Sequence, residues 1–272
     1  MNKRNIIITI LTVIFLSGIA MFSPSVLTAQ DTSPKEKNWE FNLAPLYLWA
    51  VSIDGDLTVM GNNQPVIADF SEIASSLEGI FTVHFEGMHK SGWGFLTDVE
   101  YLNLGAQETT PGPLPLTLDV DFTLVMAELA GIYRFKLDDN ALDLIGGIRH
   151  YGLDTEIDVV GASPRIDKDK DWTDAMLGVR YILTITDKWD FIARGDIGFG
   201  GSDLAWNLAG LFNYQPWKHV SLLFGYRYMD VDYEDGSGAD LFKYDMTIHG
   251  PVFVVNFSWL ISGVLIQSGH PY

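Results

Sequence analysis

Arg149, Arg180, Arg194 and Arg227 each stand inside a run of apolar, aromatic or small residues: "GGIRHYG", "LGVRYIL", "FIARGDI" and "LLFGYRYMD". Glu86, Asp98, Glu100 and Glu128 stand in similar company, in "VHFEGM", "FLTDVEYL" and "VMAELAG". A guanidinium and a carboxylate can satisfy each other through two parallel hydrogen bonds where water is scarce. If these runs are strands, side chains alternate between two faces, and the charges share the face opposite the large apolar residues. The acids lie on the earlier runs and the arginines on the later ones, which predicts two opposed arcs around an enclosed space. His84 belongs with the acids, and Asp143, Asp190 and Asp196 are interspersed near the arginines. Such arcs can do one of two things. They can touch and fill the interior with ion pairs, or stand apart across water and create a transverse field that selects polar solutes.

Catalytic alternatives are weaker. Asp245 and His249 share a strand face, but four residues place them roughly 13 Å apart, beyond hydrogen-bond reach. His84 and Glu86 are inward neighbours that fit the charge network. No G-x-S-x-G nucleophile motif and no H-E-x-x-H pair occurs. With no cysteine there is neither a thiolate nor a disulfide framework, and neither a metal nor a cofactor is expected. An enzyme acting on lipid A or peptides is therefore the lesser alternative.

The elements that would position these residues repeat along the chain. In "VSLLFGYRY", Val220, Leu222, Phe224, Tyr226 and Tyr228 share one face, and Ser221, Leu223, Gly225 and Arg227 the other. Nine such residues suffice for a tilted strand to cross a bilayer. Ten spans are predicted, near 39–53, 79–90, 93–106, 117–136, 141–158, 172–185, 189–200, 204–215, 219–233 and 241–259, with eight or twelve as alternatives. Short turns around Ser91, Asp138, Asp187 and Lys218 alternate with longer polar loops, the habit of outer-membrane barrels. The first span is expected to turn Phe41, Leu43, Tyr47, Trp49 and Val51 outward. In the last span the apolar residues change parity near Gly250–Pro251, which predicts a bulge there. The stretch Asp56–Ala68 is assigned to the first outer loop. That loop also holds "ADFSEIASSLEG", where Asp69 can cap a short helix and Glu72 can complete a capping box. The helix would be a lid over the mouth or a rest on the rim. A soluble sandwich would put its polar residues outside and its apolar residues inside, the reverse of this pattern. The fold class is thus all-β: a transmembrane, antiparallel, up-and-down β-barrel of about ten strands with one short loop helix.

The N-terminus carries Lys3 and Arg4, an apolar run from Ile6 to Phe22, and small residues ending at Ala29, the order of a cleaved secretory signal peptide. Residues 1–29 are read as that signal, 30–38 as a periplasmic linker, 39–259 as the barrel and 260–272 as a tail. The full chain of 272 residues has a net charge of −18. Removing two of its 17 basic residues with the signal leaves 15 against 35 acids, a net of −20. So acidic a chain does not suit nucleic-acid phosphates.

The segments "PLYLWAVSIDG", "ADFSEIASSLEG", "WGFLTDVEYLNL", "GVRY", "FGYRYMDVDYEDG" and "YDMTIHGPVFVVNF" resemble a widespread group of small, largely uncharacterised outer-membrane β-barrel proteins of Gram-negative bacteria. The resemblance spans nearly all of the chain after the signal. It implies fold and location, with lipopolysaccharide-containing membrane and the barrel-assembly machinery as partners. It says little about activity. Chains of this group usually end at the aromatic residue that closes the last strand. Here "LISGVLIQSGHPY" follows Trp259, a departure that leaves the last strand's boundary open. The expected function is a structural barrel or a narrow small-solute channel. An adhesion barrel that binds through loops such as "VGASPRIDKDKDW" (Val160–Trp172) is the other alternative. Asp230 and Asp232, which share the parity of Tyr226 and Tyr228, should form an acidic rim with Glu234 and Asp235. At that height divalent cations could bridge them to lipopolysaccharide phosphate.

Overall fold

The computed structural model describes residues 37–59, 61–109, 117–159 and 166–262. The expected signal peptide, nearly all of the linker and most of the tail lie outside the described residues. The strands are β1 (Lys37–Ala44), β2 (Tyr47–Trp49), β3 (Ser52–Val59), β4 (Asn62–Ala68), β5 (Leu77–His89), β6 (Trp93–Thr109) and β7 (Thr117–Leu137). They continue as β8 (Asn140–Val159), β9 (Ile166–Thr186), β10 (Trp189–Phe199), β11 (Leu204–Trp217), β12 (Val220–Asp235) and β13 (Phe242–Ser262). Helix α1 spans Phe70–Ser75.

Strands β5 to β13 pair antiparallel in sequence order, and β1 joins β5 to β13, closing a ten-strand barrel. Closure gives each of these ten strands a paired neighbour on both sides, as a sheet needs to stand in lipid. The last strand runs to Ser262, three residues beyond the expected boundary, because Lys37 and Trp39 of β1 continue the ladder with Ser262 and Ile261. Half of the charged outer loop is likewise strand: Ile166–Trp172 extends β9 and pairs with β8.

The outward face carries the belt that the alternation predicts. Leu129, Leu144, Ile148, Leu177, Ile197, Leu208, Phe224, Phe253 and Phe257 are all exposed. A water-soluble monomer does not present so continuous an apolar surface, so these side chains belong in hydrocarbon. Phe41, Phe85, Phe95, Trp39 and Trp259 stack into one cluster on this face near the short-turn end.

The first span departs from expectation. β1 pairs with β13 at Leu43↔Phe257, but β2 pairs at Tyr47↔Val254, a register shift of one residue across Pro45–Leu46. Proline has no N–H for the ladder, and the slip reverses the pleat. Phe41 and Leu43 therefore face out, whereas Tyr47, Trp49 and Val51 are buried and Leu46 and Leu48 are exposed. In β13, by contrast, pairing with β12 is unbroken from Val220↔Phe257 to Asp235↔Phe242, so there is no bulge at Gly250–Pro251. The apolar set changes parity there because the interior itself turns apolar toward the long-loop end. Gly250 is needed for a different reason: a Cβ there would lie 1.9 Å from the Ala50 carbonyl oxygen, where β2 gives way to β3.

Residues 52–68 form a hairpin rather than a loop. β3 continues along β13, and β4 returns along β3. This leaves a seam in the wall. β1 pairs with β5 only as far as Ala44↔His84, and beyond it no ladder joins β2 or β3 to β5 among the described residues. Thr82 substitutes for the missing ladder: its buried hydroxyl accepts from the Tyr47 N–H at 2.7 Å and donates to the Tyr47 carbonyl at 2.6 Å. Replacing Thr82 with valine keeps the shape but leaves both backbone groups unpaired. We expect a loss of about 1–3 kcal/mol and faster hydrogen exchange at the Tyr47 amide, read by mass spectrometry in detergent micelles.

Helix α1 has the capping box read from the sequence. The Asp69 carboxylate accepts from the Ser71 and Glu72 amides, and Glu72 Oε2 accepts from the Asp69 amide at 3.0 Å. Of its apolar residues, Ile73 is buried against the interior and Phe70 is exposed. The Ser71 hydroxyl and the two amides hold the Asp69 carboxyl below its ordinary value. A depressed carboxylate contributes above its unfolded pKa and loses that contribution as pH falls through the folded one. α1 should therefore fray in acid while the barrel stays closed, seen as exchange of the Ser71 and Glu72 amides rising below the usual aspartate range.

Candidate functional site

The barrel interior is stacked in layers. On several strands, counted from the short turn, charged positions precede the largest apolar ones, while a smaller buried apolar cluster of Met88, Leu96, Ala130, Ile132, Ile145 and Met176 lies among the charges on β5 to β9. β8 shows the order: Asp143, Arg149, then Tyr151 and Leu153. β12 repeats it with Arg227, then Met229, Val231 and Tyr233.

The charged layer is one connected network. Arg149 is wholly buried and donates through Nη2 to Glu128 Oε2 at 2.9 Å and to Asp196 Oδ1 at 2.7 Å. Arg194 bonds to the same two acids, with Nε 2.9 Å from Asp196 Oδ2 and Nη2 on Glu128 Oε1. Arg180 spans the lumen to Glu86 through two bonds of 2.6 and 2.9 Å, and also donates to Asp143 at 2.8 Å. Arg134 makes a bidentate pair with Asp143 at 2.7 and 2.8 Å. Arg227 bonds to Glu100, and its Nε donates to Asn207 Oδ1 at 2.8 Å. Asn207 in turn donates to Asp196 at 2.9 Å. The Arg227 guanidinium lies 4.2 Å from the centre of the Trp49 ring.

All eight sequence-derived lumen residues face inward and are buried or half-buried. Glu86, Glu100 and Glu128 meet arginines. Asp98 does not: it accepts from Tyr47 Oη at 2.6 Å and lies 2.9 Å from His84 Nδ1. Sequence reasoning missed Tyr47, placed on the wrong face by the slip at Pro45, and did not count Arg134 among the site residues. Its alternation with Tyr133 and Phe135 was signal enough to find Arg134. Gly178 makes room for the layer, since a Cβ there would sit 2.6 Å from that of Asp196.

Toward the long-loop end lies the apolar layer, formed by Trp49, Val51, Ile73, Met126, Tyr151, Leu153, Trp172, Met229, Val231, Tyr233, Tyr244, Met246 and Ile248, among others. Its centre is a stack in which Trp172 lies between Tyr151, at 4.9 Å, and Tyr233, at 4.1 Å. A cavity of about 360 Å³ reaches the charges themselves and is bordered also by Asn42, Asn213 and Asn256 and by the apolar Ile182, Leu211 and Leu223. The interior is therefore a mixed polar and apolar vestibule around the charged layer, with an apolar seal toward the long loops.

The remaining sequence candidates have the following surroundings. His249 faces outward, and its neighbours are Asp54 at 3.2 Å and Tyr226 at 2.6 Å rather than Asp245. The four rim acids do not converge. Asp230 accepts from Thr247 at 2.6 Å, Asp232 lies 3.4 Å from Lys243, and Asp235 lies 2.6 Å from Lys170, while Glu234 is exposed. Among the described residues no group of three His, Asp or Glu side chains is arranged to hold a metal ion.

No protein-family model matches the chain, and no curated protein matches it. Solved structures do. The outer-membrane protease OmpT of Escherichia coli aligns with a TM-score of 0.53 at 8% identity, over 88% of this chain and 100% of that one. The translocator domain of the autotransporter NalP from Neisseria meningitidis aligns with a TM-score of 0.48 at 11% identity, over 94% and 97% of the two chains. The outer-membrane protein OprG of Pseudomonas aeruginosa aligns at 0.36 and 14% identity, over 84% and 98%. At such identities the likeness concerns fold alone. A closed ten-strand sheet, an apolar outer belt and the likeness in fold to OmpT together give the chain the fold of an outer-membrane β-barrel.

Proposed function

We propose that the protein is a sealed structural barrel of the bacterial outer membrane, neither an open pore nor an enzyme. The observation that carries this reading is the pair of arginine bridges across the lumen, Arg180 on β9 to Glu86 on β5 and Arg227 on β12 to Glu100 on β6, with Arg149 wholly buried beside them. Ion pairs occupy the width that a narrow channel would need, and the apolar layer above them offers no polar path. A ten-strand barrel is only slightly wider than the eight-strand size that side chains can fill. Lipopolysaccharide would meet Asp230, Asp232, Glu234 and Asp235 at the outer rim. Purified barrel in planar bilayers is expected to give no steady conductance steps at neutral pH. Regular steps with ion selectivity would establish the channel reading instead.

One observation favours a second reading, partner binding at the cell surface. β7, β8 and β9 contain 21, 20 and 21 residues, about twice the 9–11 needed to cross a membrane. With β6, which pairs with β7 up to Thr109↔Thr117, they rise beyond the belt as a four-stranded ribbon. Loss of cell-surface partner binding when the tip of this ribbon is shortened, with heat-modifiable migration in SDS unchanged, would support that reading.

A further inference from the structure

We propose that the seam between β2–β3 and β5 admits a single-chain acyl molecule from the membrane, and that its carbonyl or carboxyl oxygen is held inside the apolar layer. This goes beyond a sealed lumen, because access is through the wall rather than along the axis.

Three observations converge. The wall is unladdered at this place. Above Ala44, β1–β3 and β5 are joined by the Thr82 hydroxyl and not by strand pairing. Directly behind lies a second cavity, of about 60 Å³, bordered by Val51 and Ile53 on one side of the seam and Ile80 and Thr82 on the other. Leu77, Ile80 and Phe81, on the unladdered stretch of β5, are exposed, and Ile80 also borders the cavity, an apolar approach for an alkyl chain.

The inner wall of that cavity explains the head group. Trp49, Tyr151 and Trp172 border it, each more than nine-tenths buried, yet Trp49 Nε1 and Trp172 Nε1 make no hydrogen bond, and the Tyr151 hydroxyl has only the Arg149 guanidinium beside it. Arg149, two residues before Tyr151 on the same face of β8, also has an unpartnered nitrogen, Nη1. Buried polar groups without partners are rare and costly. Here both indole nitrogens and the guanidinium can only donate, and the phenol can do so. The matching ligand group is an acceptor, a carbonyl or carboxyl oxygen, and the surrounding side chains demand an apolar body. The cavity holds only the head. The chain would lie along the seam on Ile80 and Phe81.

The test uses the full barrel in lipid nanodiscs with radiolabelled hexadecanoic acid, methyl hexadecanoate and hexadecane. Saturable binding of the acid and the ester at one per barrel is expected, with hexadecane at least tenfold weaker. Tyr151→Phe and Trp172→Phe remove one donor each while keeping the ring, and each should weaken acid binding about tenfold. Ile80→Trp, which obstructs the mouth from the surface, should abolish it. Heat-modifiable migration in SDS verifies that each variant is folded. Native mass spectrometry of barrel extracted from membranes identifies the natural occupant: a free fatty acid or other single-chain acyl adduct supports the site, and a diacyl lipid adduct in its place counts against it. Hexadecane binding as well as the acid, indifference to Tyr151→Phe, or no saturable binding would overturn the proposal and leave the donors to bound water.

Discussion

Arg149→Ala will lower the stability of the barrel by about 3–5 kcal/mol, the usual consequence of removing one partner from a buried ion pair. The reason is asymmetric. The guanidinium is fully buried and holds Glu128 and Asp196 together. Without it two buried carboxylates remain with Arg194 as their only shared cation among the described residues. Arg149→Met and Arg194→Met, together with Glu128→Gln and Asp196→Asn, remove the charge on both sides and should cost much less, because neutral groups of similar volume leave no buried charge. Urea unfolding in detergent, followed by the loss of heat-modifiable migration, measures both. A single Arg149→Ala variant as stable as the wild type would show that the charged layer does not hold the barrel together.

Trp172→Ala should cost a comparable amount, about 3–5 kcal/mol, for a different reason. The indole is the middle plate of a stack with Tyr151 and Tyr233 and lies near Tyr244. Its removal leaves a hole at the centre of the apolar layer that strands fixed in a closed barrel cannot collapse to fill. Trp172→Phe keeps a ring in the stack and should recover most of the loss. Neither Arg149→Ala nor Trp172→Ala alone should conduct ions in planar bilayers, since the other layer still obstructs the lumen. Conductance in either single variant would show that one layer, not two, closes the barrel.

Much of this was legible along the chain because a strand's side chains have a period of two and lipid is an unforgiving solvent. Phe224, Tyr226 and Tyr228 could face only hydrocarbon, so Arg227 had to face inward. The same logic placed Arg149, Arg180, Arg194, Glu86, Glu100 and Glu128. Asp69 and Glu72, three residues apart, specified a capping box that depends on no distant contact. The errors arose where periodicity breaks. The slip at Pro45–Leu46 turned Tyr47, Trp49 and Val51 inward, and no spacing in "APLYLWAV" distinguishes that from an unbroken strand. In β13 the change of parity at Gly250–Pro251 looked like a bulge because the interior was expected to be polar throughout.

The sequence by itself determined the solvent, the closed sheet and the inward direction of the charges, because these follow from local alternation and from the cost of unpaired backbone in lipid. Only the tertiary structure decided which carboxylate each arginine meets, that Asp98 goes to Tyr47 and His84, and that β2–β3 stand apart from β5. Those outcomes depend on strand stagger around a closed circle, where residues as distant as Glu100 and Arg227 come into contact. A one-residue shift in a single span, invisible in composition, is enough to put Trp49 beside Arg227 instead of in lipid.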